Sequence, residues 1–338
     1  MRAPYQTEYV QRLKGWRRLV SHSLYPVLLI GGALATWSMM TSLSYPYLFS
    51  VTCVTACVGL TLWALEMWMP YTTKWSVTQS EATLDLSHLF VSTGLTSIFV
   101  NATVLGVFVW AGSVLSAWLD LSIWPAHWPL ILQVMLGLIL GELGAYWVHR
   151  VCHISDVGWR IHVLHHSAEK LHVWASGRNH PFNVVCTVSL QAALPIVMGA
   201  TPEVLSLISS MTGINGLSQH ANVDIRSGRV MSLIFSTPEL HRWHHARNLD
   251  SSHVNFGNNL IIWDHVFGTY YSPQLSPPTE VGVEGLSLPQ SLPAHLAIPF
   301  TYQTRQQLKQ TLDLQMLDLT ERRQESISDS EVLSDLTI

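Results

Sequence analysis

The stretch LILQVMLGLILGELGAYWVHRVCHISDVGWRIHVLHH, residues 130–166, runs from an apolar segment directly into a cluster of histidines. Its first half has the composition of a membrane helix, since about twenty apolar residues cross the hydrocarbon core of a bilayer. Its second half, 149–166, contains five histidines in eighteen residues. Because imidazole is the commonest metal ligand in proteins, the stretch predicts a metal site where a membrane helix meets water.

The composition of the whole chain indicates a membrane protein. Of its 338 residues, 48% are hydrophobic and only 12% are charged, whereas soluble domains carry about 25% charged residues. A net charge of −4 gives no reason to expect a nucleic-acid partner. The four cysteines lie in or beside apolar segments, so we interpret them as small buried hydrophobic residues and not as a disulfide framework.

The order of apolar and basic residues predicts four membrane crossings. Residues 24–65 contain no charged side chain and fit two helices with a turn near 42–47, and two further helices are expected at about 89–117 and 130–148. Lys and Arg occur before the first helix, between the second and third and after the fourth, but not in the other two loops. This positive-inside pattern predicts a cytoplasmic N-terminus and a cytoplasmic position for His149 and the residues that follow.

We therefore expect an all-α integral membrane protein with four transmembrane helices and a cytoplasmic helical cap that holds a di-metal site. The expected parts are a basic N-terminus (1–23), a stem of two helical hairpins (24–148), a histidine-rich catalytic domain (149–271) and a polar C-terminal extension (272–338). The apolar block 184–214 is expected to enter the membrane and return, or to lie along its surface, because a single crossing would separate the early histidines from the late ones. The extension is expected to form a short helix over 303–323 and to end in a disordered acidic tail.

The histidines recur at spacings that bring rings together on a helix, where residues three and four apart share a face. A pair with spacing H-x3-H precedes two triads of the form H-x2-H-H, and each triad can offer rings to one ion while a spare ring turns to a second. The ten candidate ligands are His149, His153, His162, His165, His166, His180, His220, His241, His244 and His245. Ten imidazoles suit two ions, and a nitrogen-rich site beside a lipid phase favours iron that activates dioxygen.

Other polar residues are expected to support the ligands or the fold. Glu142, an acid inside the fourth apolar segment, should face the helix bundle, either as a structural hydrogen-bond acceptor or with a direct role near the metals. His172 and His253 should donate hydrogen bonds beside the ligands, and His265 should be supporting or structural. The histidines outside the cluster are not expected to be ligands: His22, His88, His127 and His295.

This series of motifs resembles the fatty acid hydroxylase/sterol desaturase superfamily of membrane di-iron oxidases. The matching segments, within about residues 82–300, are YWVHRVCH (146–153), HVLHH (162–166), NHP (179–181), QHANVD (219–224), TPELHRWHH (237–245) and NFGNNLIIWDHVFGTYY (255–271). The resemblance implies that the ten histidines ligate two irons and that Asn255 and Asp264 support them. Asn183, where many relatives carry an acid, and the polar C-terminal tail depart from the pattern without removing a predicted ligand.

The resemblance also implies a reaction, in which a non-haem di-iron oxygenase hydroxylates an unactivated C–H bond of a membrane lipid with dioxygen. No fused haem domain is visible, so electrons are expected from a separate electron-transfer protein or a small reductant. The H-x3-H pair differs from the H-x4-H of carotenoid ring hydroxylases, which disfavours a carotenoid substrate. The choice among a sterol, a fatty acyl chain, a sphingoid base and an ether lipid stays open. The membrane would be the endoplasmic reticulum in a eukaryote and the inner membrane in a bacterium.

Three other functions compete with lipid hydroxylation. A desaturase would use the same metal site, because loss of a second hydrogen in place of oxygen transfer gives a double bond. A membrane metal transporter or sensor should carry ligands along its crossing helices, whereas residues 24–141 contain only His88 and His127. A zinc hydrolase usually uses three protein ligands and a nearby carboxylate base, unlike a set of ten histidines.

Overall fold

Four long apolar helices dominate the computed structural model of this chain, which describes residues 15–247, 253–273, 277–286 and 288–301. Within these ranges the chain forms helices, loops and isolated β-bridges, with no strand. The predicted all-α membrane fold with four crossing helices is therefore confirmed. The first fourteen residues of the basic N-terminus, the predicted helix over 303–323 and the acidic tail lie outside the described residues.

The membrane-spanning segments match the apolar runs of the sequence. They are α1 (Gly15–Thr41), α2 (Tyr47–Trp68), a third segment (Gln79–Leu119) composed of α3 (Gln79–Ser87), a π-helical stretch (His88–Leu95), α4 (Thr96–Ala102) and α5 (Val104–Leu119), and finally α6 (Leu130–Ile154). Large apolar side chains such as Phe90, Trp110 and Ile131 are exposed on their outer surfaces. Such surfaces require lipid around them, and the chain is a multi-pass membrane protein.

The third segment begins ten residues before the predicted start. The side chain of Thr78 accepts a hydrogen bond from the backbone N–H of Glu81, and the Glu81 carboxylate accepts one from that of Thr78, which together cap α3. From the sequence alone, Glu81 and Asp85 indicate a polar connection between helices at these positions. Both acids are nevertheless compatible with the helix, since Glu81 pairs with Lys170 and Asp85 is buried against polar partners.

The remaining elements form the cap and its connections to the stem. They are α7 (Asp156–His166), α8 (Pro181–Val197), α9 (Pro202–His220), α10 (Gly228–Ile234), α11 (Pro238–His244), α12 (Ile262–Phe267) and α13 (Leu292–Thr301), with 3-10 turns at Thr73–Trp75 and Val173–Gly177. Helix α13 was not predicted. It packs on α7 through Ile298 against Val163 and Leu164, so the first part of the polar C-terminal extension is folded against the cap.

The apolar block 184–214 forms two helices, α8 and α9, with a break at residues 198–201. Helix α8 packs on α5 and α6, and its backbone approaches α6 so closely that a Cβ at Gly144 would lie 2.1 Å from the carbonyl oxygen of Leu190. Helix α9 packs on α1, α2 and α6, where Ile214 and Leu217 enter the core. The two helices therefore join the stem to the cap, and their depth in the membrane stays a prediction.

Candidate metal centre

The histidines are carried by four helices that end at one place. His149 and His153 lie in the last turns of α6, and the triad 162–166 closes α7. A single residue, Ser155, separates these two helices and caps α7, its Oγ accepting from the backbone N–H of Gly158 at 3.1 Å. His220 is the last residue of α9. The triad 241–245 ends the short helix α11, which begins at Pro238.

Nine of the ten predicted ligands come together in two groups of buried or half-buried rings. The five-histidine group contains His149, His153, His162, His166 and His244. The four-histidine group contains His165, His220, His241 and His245. Within each group, one ring nitrogen from every histidine lies within 4.8 Å of those from all the others, which is the spacing that ligands of a single ion require.

Ring nitrogens face one another at short distances in the four-histidine group, and ring nitrogens of the five-histidine group lack a hydrogen-bond partner among the described residues. The Nε2 atom of His245 lies 3.1 Å from that of His165 and 3.0 Å from that of His241. The buried Nε2 atoms of His149 and His244 have no hydrogen-bond partner within the part of the chain that the structure describes. Leaving buried polar atoms unsatisfied costs about 1–3 kcal/mol each. A metal ion at each group would satisfy these nitrogens, so the residues fit the ions that the sequence predicts.

Hydrogen bonds on the opposite side of four rings fix their orientation. The Nδ1 atoms of His149, His165, His220 and His244 each donate to a backbone carbonyl oxygen, at distances of 2.8, 3.3, 3.0 and 2.8 Å respectively. A neutral imidazole that donates through Nδ1 has an unprotonated Nε2. These bonds therefore set both the tautomer and the direction of the coordinating nitrogen, as outer partners of metal-binding histidines commonly do.

Burial favours the neutral form of the histidines in the four-histidine group. Burial lowers the pKa of His220 to about 4, although its bond to the Gly216 carbonyl opposes the shift. Burial, and then the proximity of other histidines, holds the pKa values of His165 and His245 well below the usual range. Neutral imidazole is the form that binds metals, so this group is prepared to accept an ion near neutral pH.

His180 lies outside both groups. Its Nδ1 accepts from the backbone N–H of Phe182 at 3.2 Å and caps α8, while its Nε2 donates to the carbonyl oxygen of Leu296 at 3.1 Å. Both ring nitrogens are thus engaged by the protein. Its assignment as the tenth ligand stays a prediction.

Two of the predicted supporting residues, Glu142 and Asp264, bind one loop, 255–259. Glu142 accepts hydrogen bonds from the backbone N–H groups of Asn258 and Asn259, the latter at 2.8 Å. Asp264 accepts from those of Phe256 and Gly257, at 2.8 and 2.7 Å. The carbonyl oxygen of Phe256 in turn accepts from Nδ1 of His149. The two acids therefore fix a loop that orients a candidate ligand.

Asn255 begins this loop in the left-handed conformation, with φ of 55°. Its side-chain amide donates to the carbonyl oxygens of Leu240 and Tyr271, at 3.2 and 2.8 Å. The amide oxygen accepts from the backbone N–H of Tyr271 at 2.8 Å. Asn255 thereby joins the start of the loop to α11, which carries the second histidine triad.

The histidines outside the ten differ in their surroundings. His253 packs edge-on against His153, with ring centroids 5.6 Å apart. His172 bonds to Asp85, whereas His265 is exposed, belongs to neither group and bonds to the carbonyl oxygen of Leu233. The four that were not expected to be ligands are an exposed pair, His22 and His127, and a buried pair, His88 and His295, whose Nε2 and Nδ1 atoms lie 2.9 Å apart.

Sequence reasoning missed three charged residues that connect the stem to the cap. Glu66 accepts from the backbone N–H groups of Val173 and Asn222, at 2.6 and 2.8 Å. Arg242 lies within the second triad, donates to the Ala221 and Val223 carbonyls and packs over the ring of Tyr71. Asp85 binds His172 and Arg178. A single acid near the end of an apolar segment was the available signal for Glu66 and Asp85.

Comparison with known proteins identifies relatives of this chain that are lipid hydroxylases and monooxygenases by name. The sequence profile of the fatty acid hydroxylase family matches residues 134–269. An ornithine lipid hydroxylase of Rhizobium tropici is 33% identical over 292 residues, which cover 86% of each chain. An alkylglycerol monooxygenase of Homo sapiens is 29% identical over 147 residues, covering 44% of this chain and 32% of that protein. The corresponding protein of Danio rerio is 27% identical over 166 residues, covering 49% and 34%. No solved structure matches the chain at a significant level.

Proposed function

Because this chain belongs to the fatty acid hydroxylase superfamily, we propose that it hydroxylates a C–H bond of a membrane lipid with dioxygen and external electrons at two irons. Membership of a family of lipid hydroxylases identifies the protein as an oxidoreductase. The observation that supports the proposal most directly is the pair of buried histidine groups at the end of the membrane helix α6. Each group contains enough imidazole nitrogens for one ion.

The two ions would be bound by the five-histidine and four-histidine groups. Imidazole alone also suits zinc or copper, so the choice of iron rests on the relatives, which are hydroxylases and monooxygenases by name. Zinc has no redox chemistry and would not support such a reaction. Bound iron would supply the activation of dioxygen. In the overall reaction one oxygen atom enters the C–H bond, and the other leaves as water after two electrons and two protons arrive from outside.

The protein contributes a dry and rigid surrounding for this chemistry. The ring of Phe256 packs against His153 and His244, with centroids 5.2 and 5.9 Å apart. The ring of Trp159 covers His153 and His166 from another side, at 5.4 and 5.5 Å. Both aromatic residues are almost fully buried. Their rings exclude water from the five-histidine group and restrict rotation of its imidazoles.

The substrate we propose is a lipid that stays in the bilayer during the reaction. The outer surface of α6 exposes Ile131 and Leu132 near its start, and the helix ends with His149 and His153. A lipid beside this helix would therefore contact the same helix that carries the first two candidate ligands. The named relatives act on an ornithine lipid and on alkylglycerols, and a polar membrane lipid is the class that they share. A separate protein or small reductant would deliver electrons from the cytoplasmic side.

The proposal can be tested in cells that express the wild type, His165→Ala or His265→Ala under isotopically labelled dioxygen. Lipid extracts should contain a species with one added, labelled oxygen in the wild type and in His265→Ala, which changes an exposed ring that belongs to neither group. The species should be absent with His165→Ala. A product that lacks two hydrogens would indicate desaturation instead. Identical lipid profiles in all three strains would contradict the proposal.

A further inference from the structure

Asp85 is a buried acid in α3, close to the start of the third membrane-spanning segment. Its side chain is fully shielded from solvent. One carboxylate oxygen lies 2.7 Å from Nε2 of His172, and the other accepts from Nε of Arg178 at 2.6 Å. These two partners flank the 3-10 turn Val173–Gly177. A single carboxylate thus connects both ends of that turn to the membrane helix.

The same turn contacts the third segment through its backbone, independently of this charge. A Cβ atom at Gly177 would lie 2.5 Å from the Cα of Leu89, so only glycine permits the observed approach. The hydroxyl of Thr93 donates to the carbonyl oxygen of Gly177 at 3.2 Å. The turn therefore lies directly on the membrane segment, and its position depends on that segment.

Arg178 connects the turn to the four-histidine group. Its carbonyl oxygen accepts from Nδ1 of His165 at 3.3 Å. The Nε2 atom of the same ring lies 3.1 Å from Nε2 of His245. Movement of Arg178 would therefore rotate or release the His165 ring and turn its coordinating nitrogen away from the group.

The electrostatics make Asp85 necessary for this arrangement. Arg178 is only 8% exposed, and the Asp85 carboxylate provides the opposite charge at hydrogen-bond distance. Removing one member of a buried ion pair leaves an uncompensated charge, which costs several kcal/mol. Without the carboxylate, the Arg178 side chain is expected to move toward water. Its backbone carbonyl would move with it.

We propose that Asp85 is a positioning residue for the four-histidine group. It fixes the turn 173–177 against the third membrane segment and, through Arg178, orients the ring of His165. The inference rests on the proposed metal centre. In this arrangement Asp85, which ligates neither ion, sets the geometry of one metal site from a membrane helix.

The test compares cobalt(II) binding to the purified full-length wild type and to Asp85→Asn after removal of endogenous metal. The wild type should bind two equivalents. Asp85→Asn should retain one equivalent and bind the second about 10–100-fold more weakly, as expected when an outer partner of a ligand is lost. The cobalt absorption of the second equivalent should also change, because that spectrum reports the ligand geometry. Thermal unfolding of the metal-free proteins shows whether the wild type and Asp85→Asn are both folded.

Glu81→Gln is the matched control. Glu81 lies one turn earlier on α3 and pairs with Lys170 at 3.0 Å, but both side chains are about 30% exposed. This variant should bind two equivalents with the wild-type spectrum. If Asp85→Asn fails to fold, Arg178→Lys tests the positioning role in its place. Lysine keeps the buried positive charge but lacks the guanidinium that bonds Asp85, so it should also weaken one equivalent only.

The outcomes separate the two proposals. A folded wild type that binds no metal would contradict the proposed function. Wild-type affinity and spectrum for both equivalents in Asp85→Asn, or in Arg178→Lys where that variant replaces it, would overturn the positioning role while leaving the metal centre intact. Equal weakening of both equivalents would indicate a general structural role and would also overturn it.

Discussion

The Nε2 atom of His165 lies 3.1 Å from the Nε2 atom of His245, although the two residues are 80 positions apart in the chain. The first is carried by α7 and the second follows α11. Each triad also contributes to the other group, because His244 joins His162 and His166. The two triads therefore exchange one histidine each, and neither histidine group forms without both helices.

Replacement of His245 by alanine should reduce the metal content of the purified protein from two ions toward one. His245 is central in the four-histidine group, with contacts of 3.1 and 3.0 Å to the Nε2 atoms of His165 and His241. Metal analysis of the folded protein measures the change, with His265→Ala as the control. Retention of two ions by His245→Ala would contradict the assignment of this group.

Replacement of Glu142 by glutamine tests whether this acid is structural or acts at the metals. Its two carboxylate oxygens accept from adjacent backbone N–H groups, and an amide retains only one acceptor oxygen. We expect a loss of about 1–3 kcal/mol in the free energy of unfolding, with both metals still bound. Thermal unfolding and metal analysis provide the readouts. Unchanged stability together with a lost reaction would indicate a direct role instead.

Replacement of Gly144 by alanine should destabilise the contact between α6 and α8. The added Cβ would lie 2.1 Å from a backbone oxygen of Leu190, so the helices would have to separate. Gly106→Ala in α5 is the matched control, because no atom lies within 4 Å of the corresponding Cβ. For Gly144→Ala we expect the free energy of unfolding to fall by about 1–3 kcal/mol. The control should remain neutral or gain up to about 1 kcal/mol from helix propensity. Comparable unfolding temperatures for the two variants would contradict the close packing.

Acidification should destabilise the metal-free protein below about pH 6.5. Unfolded histidines take up protons near that pH, whereas burial lowers the pKa of His220 to about 4 in the folded protein. Between these values the unfolded state binds more protons, so stability falls as pH falls, by up to about 1.4 kcal/mol per pH unit for each such histidine. Thermal unfolding from pH 7.5 to 5 measures the slope. A His220→Ala variant should show a shallower dependence of stability on pH. Equal slopes for the variant and the wild type would contradict the lowered pKa of His220.

The sequence determined the features that depend on neighbours along one helix. Long apolar runs specified the membrane helices, because only helices satisfy backbone hydrogen bonds within lipid. Spacings of three and four residues specified which histidines share a face, and His162 with His166 and His241 with His245 indeed stay together. The family resemblance followed from the same local motifs, and the relatives confirmed it.

The tertiary structure decided everything that depends on how these helices meet. Consecutive positions on a helix point in directions about 100° apart, so His165 diverges from His166 and joins a partner on another helix. The burial of Asp85 and Glu142 against distant backbone and side-chain groups follows from the same packing. Local spacing specifies which side chains share a face, whereas contacts between remote segments depend on packing that no single segment encodes.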